Sequence, residues 1–167
     1  MYRPILFCLL ALLACTKAPD PVVTIPDPPQ EKPGDNGGNN GNNDTTMPAE
    51  IKITISGKSL PVKIEDNAAT KALVAALREA SITYEADDYG GFEKVGALGR
   101  SLPTSNTQIS TQPGDVILYS GNQIVLFYGT NSWSYTRIGK MDYGTLDELK
   151  TFLKAGQGKI SVTLSLQ

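Results

Sequence analysis

Histidine is missing from this chain of 167 residues. Its absence removes the imidazole general base, the Ser-His-Asp triad and His-ligated zinc together. Cysteine is almost missing too. Cys8 falls inside an apolar run and Cys15 at its end, so everything after Cys15 lacks a thiol. Disulfides, a cysteine nucleophile and thiolate metal sites are thereby excluded from the rest of the chain. No G-x-S-x-G elbow, S-x-x-K pair or Walker loop occurs. Neither sign of charge dominates: 15 Lys+Arg stand against 17 Asp+Glu, a net charge of -2. Nucleic-acid binders carry a basic balance or stripe, so no nucleic-acid partner is expected. No cofactor and no metal are expected either, and any catalysis would have to use Asp, Glu, Tyr, Lys or Arg alone.

The N-terminus reads as an address. Met1-Tyr2-Arg3-Pro4 is a short basic start, and Ile5 to Ala14 is an unbroken apolar run, well below the ~20 residues a spanning helix needs. It closes on Leu12-Leu13-Ala14-Cys15, which resembles the bacterial lipobox, where cleavage precedes a lipidated cysteine. Residues 1–14 are therefore expected to be a lipoprotein signal peptide and Cys15 the lipidation site, with the membrane as partner through that anchor. An ordinary secretory signal with an incidental cysteine is the alternative. Acyl chains contribute about 0.8 kcal/mol per buried CH₂, enough for stable anchoring when several are present. Thr16-Lys17 after the cysteine, in place of an aspartate, points to the outer membrane of a bacterial envelope rather than to inner-membrane retention. Through residue 50 the chain is crowded with Pro, Gly and Asn, from Pro26-Asp27-Pro28-Pro29 to Gly37-Gly38-Asn39-Asn40. Such a segment cannot bury a core. A linker over 15–50 would reach between roughly 30 Å as coil and 100 Å as polyproline.

Residues 51–167 form the expected domain, since what remains is about one ordinary domain in length. Ile51, Ile53 and Ile55 alternate with polar residues, Gly57-Lys58 turns the chain, and Leu60, Val62 and Ile64 alternate again, so a β-hairpin is predicted. Pro61 is tolerable there if it lies at an edge or faces away from the ladder. Asp66 or Asn67 can cap a helix to about Ala80, with Leu73, Ala76, Leu77 and Ala80 on one face. A strand over Ile82–Ala86 precedes a polar loop at Asp87-Asp88-Tyr89-Gly90-Gly91. Val116–Ser120 and Gln123–Tyr128 are the expected central strands, and Trp133–Ile138 looks extended. Thr145-x-x-Glu148 is a capping box opening a second helix with Leu146, Leu149 and Leu153 inward, closed by Gly156. Ile160, Val162, Leu164 and Leu166 make a half-buried last strand placed to pair with the first. Many antiparallel strands, two short helices and terminal strands that can meet predict a barrel, because closure removes exposed edges. An open α+β sheet is the alternative.

Several short signatures occur in order: Asp88-Tyr89-Gly90-Gly91-Phe92-Glu93-Lys94-Val95-Gly96, Leu102-Pro103, Pro113-Gly114-Asp115-Val116, Phe127-Tyr128, and Ser134-Tyr135-Thr136-Arg137-Ile138-Gly139-Lys140. Together they resemble the small, single-domain bacterial cyclophilin-like proteins over nearly all of 51–167. The resemblance implies a mainly β fold, a closed cyclophilin-like barrel capped by two short α-helices. It does not bring an activity with it, because fold does not fix function. The prolyl isomerases of the cyclophilin family place an arginine beside an apolar groove, within phrases near Phe-His-Arg and Phe-Met-x-Gln-Gly-Gly-Asp. Neither phrase is present; Arg100 and Arg137 could each serve in principle, but such arginines are more often surface or salt-bridging residues.

Aromatic residues gather in the second half of the domain: Tyr89, Phe92, Tyr119, Phe127, Tyr128, Trp133, Tyr135 and Tyr143. A groove of these would suit a peptide, a sugar ring or an apolar ligand. Tyr119 and Phe127 sit at strand spacing, for which a place in the core is the plainer reading. The expected ligand site is centred on Trp133, Tyr135 and Arg137, with Arg100 and Glu93 as polar partners and Tyr119 and Phe127 in its walls. Glu85, Asp87, Asp88 and Glu93 could gather round a hard cation, but their spacing fits no calcium loop and a solvated loop is the plainer reading. The leading expectation is a non-catalytic envelope module that binds a peptide, glycan or partner protein. A weak prolyl isomerase and a purely structural envelope protein are the alternatives.

Overall fold

The structure, a computed structural model, describes residues 50–167. The expected signal segment, Cys15 and nearly all of the expected linker lie outside the described residues. The described chain opens with the predicted hairpin, β1 (Glu50–Ile55) and β2 (Lys58–Ile64), in register from Ile51 opposite Val62 to Ile55 opposite Lys58. Ile51, Ile53, Ile55 and Val62 are buried, as their alternation requires. Pro61 sits inside this hairpin rather than at an edge. Its carbonyl accepts from the Asp142 amide at 2.8 Å, so its nitrogen also faces away from β1, and no β1 ladder bond is lost.

Helix α1 (Ala68–Glu79) starts where Asn67 caps it, its side-chain oxygen accepting from the Thr70 amide at 3.0 Å. The Asn67 amide also donates to the Arg137 carbonyl at 2.7 Å, fixing the helix to a strand seventy residues away. Leu73, Ala76 and Leu77 are buried, whereas Ala80 is exposed just past the helix end. Strand β3 (Ile82–Tyr89) continues through the stretch expected to be a polar loop, because Asp87, Asp88 and Tyr89 find partners in β4 (Glu93–Ala97). The loop shrinks to a turn at Gly90-Gly91, both with positive φ.

Strands β5 (Thr107–Ser110), β6 (Asp115–Tyr119), β7 (Gln123–Phe127) and β8 (Ser132–Met141) follow, then α2 (Leu146–Phe152) and β9 (Ile160–Leu166). Both halves of the Thr145/Glu148 capping box are present. Leu149 and Leu153 are buried beneath α2, but Leu146 is exposed, contrary to expectation. It occupies the first position of the helix, where the chain still faces solvent. Strand order is β2-β1-β9-β3-β4-β7-β6-β8, and β8 pairs back onto β2, closing an eight-stranded antiparallel barrel with β5 added on β8. The first and last strands pair, as predicted, with Ile53 opposite Leu164. The barrel interior and the helices that cover it form one apolar cluster from Ile51 to Leu164.

The register of β6 on β8 slips between Val116 and Ile117, where Val116 faces Gly139 and Ile117 faces Arg137, leaving Ile138 as a bulge. The bulge resets alternation: Ile138 and Met141 are both core residues although an odd number of steps separates them. It also lets β8 run three residues beyond its expected end and reach β2 at Val62, Lys63 and Ile64, so the bulge and the closure of the barrel belong together.

Candidate functional site

On the outer face of β4, β7, β6 and β8 lies a second apolar cluster of Ile117, Val125, Phe127 and Tyr135, with Phe92, Val95 and Ile109 packed against it. The alternation that buries Leu118, Ile124 and Leu126 inside the barrel turns these residues outward. A cleft of about 430 Å³ opens above them, lined by Tyr89, Glu93, Val95, Tyr119, Gln123, Val125, Asn131, Trp133 and Tyr135. Among the described residues four large apolar side chains are exposed, and three of them, Tyr89 at 66%, Trp133 at 57% and Tyr119 at 37%, line this one cleft. Exposed aromatics gathered in one place, rather than scattered, mark a contact site.

The walls are held by their neighbours. Phe92 stacks on Phe127 at 6.3 Å, Phe127 meets Tyr135 edge-on at 6.0 Å, and Tyr135 meets Tyr119 edge-on at 6.0 Å. The Tyr135 hydroxyl accepts from the Asn131 side-chain amide at 2.9 Å. Asn131 is fixed in turn by the buried Thr111, whose hydroxyl donates to the Asn131 carbonyl at 3.0 Å and accepts from its amide at 2.9 Å. A rigid rim of this kind costs little ordering on binding.

Glu93 is the ionisable group at the base. It is 5% exposed, its Oε2 has no hydrogen-bond partner among the described residues, and burial pushes its carboxyl from the ordinary 4.5 up to about 7. Burial, joined by the nearby Glu93 charge, also raises the Tyr135 phenol. The unfolded chain releases the Glu93 proton near 4.5 while the folded chain keeps it until about 7. The folded state therefore binds more protons within that window, and stability falls as pH rises through it. The expected loss is about 2–3 kcal/mol by pH 8, with a flatter profile and a higher Tm at pH 8 in Glu93→Gln. Denaturant unfolding from pH 4.5 to 8 checks this, and parallel profiles for the two proteins would refute it.

The sequence model of the cyclophilin-like family matches residues 53–165. This chain belongs to the cyclophilin-like family. The cyclophilin-like barrel also superposes on solved structures. One is the solution structure of the hypothetical protein AF2241 from Archaeoglobus fulgidus, with a TM-score of 0.52, 16% identity and coverage of 75% of this chain and 99% of that one. Another is McbB in complex with tryptophan, with a TM-score of 0.53, 13% identity and coverage of 70% of this chain and 44% of that one. At such identities the likeness is one of fold. A search of curated proteins finds no match.

Of the residues expected at a site on this cyclophilin-like domain, Trp133, Tyr135, Glu93 and Tyr119 come together in the cleft. Phe127 does not line it; fully buried, it lies beneath as the support of Tyr135. Arg137 shares the outer face of β8 but is engaged by the buried Asp115 at 2.8 Å and by Glu65 at 3.5 Å, and does not reach the cleft. Arg100 is exposed in the loop between β4 and β5 and is likewise absent from the lining. Among the described residues, no arginine lines the cleft. The acidic group at 85–93 separates because successive residues of a strand face opposite ways: Asp88 turns in to Lys94 while Glu93 turns out to the cleft. Sequence reasoning missed Val95, Gln123, Val125 and Asn131, and named Tyr89 only as one of the aromatics. The register of β4 on β7, with Val95 opposite Val125, brings two of them together across thirty residues, and no local signal announces it.

Proposed function

We propose that this protein is an exported lipoprotein, held at the bacterial outer membrane through Cys15, whose cyclophilin-like domain is a binding module for a ligand seated in the aromatic cleft. The clustering of exposed Tyr89, Tyr119 and Trp133 over one preformed hollow carries this reading. The volume of about 430 Å³ suits a single ring with a short chain, such as a peptide side chain or one sugar residue. The lipobox-like Leu12-Leu13-Ala14-Cys15 supports the tether, and the Pro/Gly/Asn linker would lift the module clear of the bilayer. Prolyl isomerisation draws no support from the cleft, because the arginine that such isomerases place beside their groove has no counterpart there.

Trp133 is the sole tryptophan of the chain and sits on the cleft rim, so its emission reports on occupancy. Titration with proline peptides, cell-wall fragments and aromatic small molecules is expected to give a saturable change with at least one class. Tyr119→Ala should weaken that ligand about tenfold, the ordinary cost of losing an aromatic contact of roughly 1.4 kcal/mol. Unchanged affinity in both Tyr119→Ala and a cleft-filling Val95→Arg variant would place binding elsewhere.

A further inference from the structure

We infer that the cleft takes an organic cation: a small free amine whose ammonium group is held by the Glu93 carboxylate and whose apolar body lies among Tyr89, Tyr119, Trp133 and Tyr135. This rests on the reading of the cleft as a ligand site and names what that site selects. The argument starts from how the domain treats its other buried charges. Lys94, fully buried, is answered by Asp88 at 2.8 Å; Asp115, fully buried, is answered by Arg137 at 2.8 Å and Lys140 at 3.5 Å. Among the described residues, Glu93 alone of these has neither a cation nor a donor on its Oε2. A buried carboxylate without partners is costly, and the ion becomes favourable once a cation meets it.

The surroundings select the sign of that partner. Among the described residues neither lysine nor arginine lines the cleft, so an anionic ligand would meet Glu93 unscreened. The cleft is lined by aromatic rings, and the negative face of such a ring attracts a desolvated cation and not an anion. A neutral hydroxyl could also donate to Glu93, but it leaves the carboxylate charge uncompensated. An ammonium answers both the carboxylate and the rings. A hydroxyl answers only the first.

The groups facing Glu93 do not blur its titration. Tyr89 from β3, Tyr119 from β6, Tyr128 just past β7 and Tyr135 from β8 are phenols, with Tyr128 raised to about 12 and Tyr135 also raised. Lys94 and Asp88 pair with each other toward the barrel interior. Amine affinity should therefore follow the Glu93 carboxyl alone, falling as pH drops below about 7.

Three matched probes test this on the mature chain carrying Cys15→Ser: 2-phenylethylammonium, 2-phenylethanol and 3-phenylpropionate, read by Trp133 emission and calorimetry at pH 8 and pH 5. The amine is expected to bind at least tenfold more tightly than the alcohol at pH 8, to lose most of that advantage at pH 5, and the carboxylate to bind weakest. Glu93→Gln should erase the preference for the amine, amine and alcohol then binding within about twofold of each other. Glu93→Asp, which keeps the charge, should retain part of the preference even if either variant loses stability. Equal binding of amine and alcohol, unaffected by Glu93→Gln, would overturn the cation inference and leave the cleft reading standing. Preference for the carboxylate would overturn it as well. Failure of all three probes at millimolar concentration, with Trp133 emission unmoved, would overturn both. A lysine peptide, acetyl-Gly-Lys-Gly-amide, binding more tightly than the free amine would transfer the site to a protein side chain and overturn the small-molecule assignment.

Discussion

Lys94→Met is expected to destabilise the domain by about 3–5 kcal/mol, the cost of stripping one partner from a buried ion pair. Lys94 points into the barrel from β4, directly across from Asp88 in β3, and is fully buried. Its Nζ meets Asp88 Oδ2 at 2.8 Å and donates to the Gly158 carbonyl, while the Gly158 amide donates to the same Asp88 oxygen at 2.8 Å and the Tyr128 hydroxyl to the other at 3.0 Å. One lysine thus ties β3, β4, the end of β7 and the loop before β9. Burial pushes the Asp88 carboxyl up, but the hydrogen bonds from Lys94, the Gly158 and Gly156 amides and Tyr128 outweigh it and hold the group at about 2.

Two consequences follow from this network. The unfolded Asp88 takes its proton near the ordinary 3.8, above the folded value of about 2, so its stabilisation is complete above 3.8 and drains away as pH falls toward 2. Methionine at 94 removes a main support of that low value, so the acid limb of the stability curve should move up in pH. Lys94→Met together with Asp88→Asn should be more stable than Lys94→Met alone, because no uncompensated carboxylate remains inside the barrel. Chemical unfolding of the two single variants and the double, compared as a cycle, measures the coupling. A Lys94→Met loss below about 1 kcal/mol would show that water reaches the lysine and that the pair does not support the fold.

The same strand shows where the sequence is hard to read. Hairpin β1–β2, α1, β6, β7, α2 and β9 declare themselves through alternation, caps and turn residues. Strand β4 does not, since its inward positions hold Lys94 and Gly96 and its outward ones Glu93 and Val95, which inverts the usual pattern. Lysine is there for Asp88. Gly96 is there because a Cβ would come within 2.3 Å of the Glu85 carbonyl and 2.6 Å of the Tyr84 ring. Strand β5 has one apolar residue, Ile109, and takes its shape from pairing with β8. For the site, the aromatic residues were legible as a group, and Glu93 as a neighbour of theirs. The misplacement of Arg137 has a simple cause: charge alone does not say what already answers it, and Asp115 is twenty-two residues from Arg137 in sequence; Arg100 stays exposed in the loop between β4 and β5.

Gly139→Val is expected to open the barrel, with a loss of more than about 3 kcal/mol, in the range of overpacking against atoms that cannot rotate away. The seam between β2 and β8 consists of three residue pairs, Val62 with Met141, Lys63 with Lys140 and Ile64 with Gly139. A Cβ at Gly139 would lie 2.2 Å from the Lys63 carbonyl oxygen and 2.9 Å from the Ile64 Cα. Both are backbone atoms, so relief requires the strands to part, and the next residue along is the Ile138 bulge that brings β8 round to β2 in the first place. Gly96→Ala makes a similar clash within the β3–β4 hairpin, away from the seam, and serves as the comparison. Hydrogen exchange should show the amides at 62–64 and 139–141 losing protection in the Gly139 variant while those of β3 and β4 keep theirs, and the reverse in Gly96→Ala. Seam amides as protected in Gly139→Val as in the unaltered chain would mean that the barrel closes without needing this close approach, and that the glycine answers to something other than the seam.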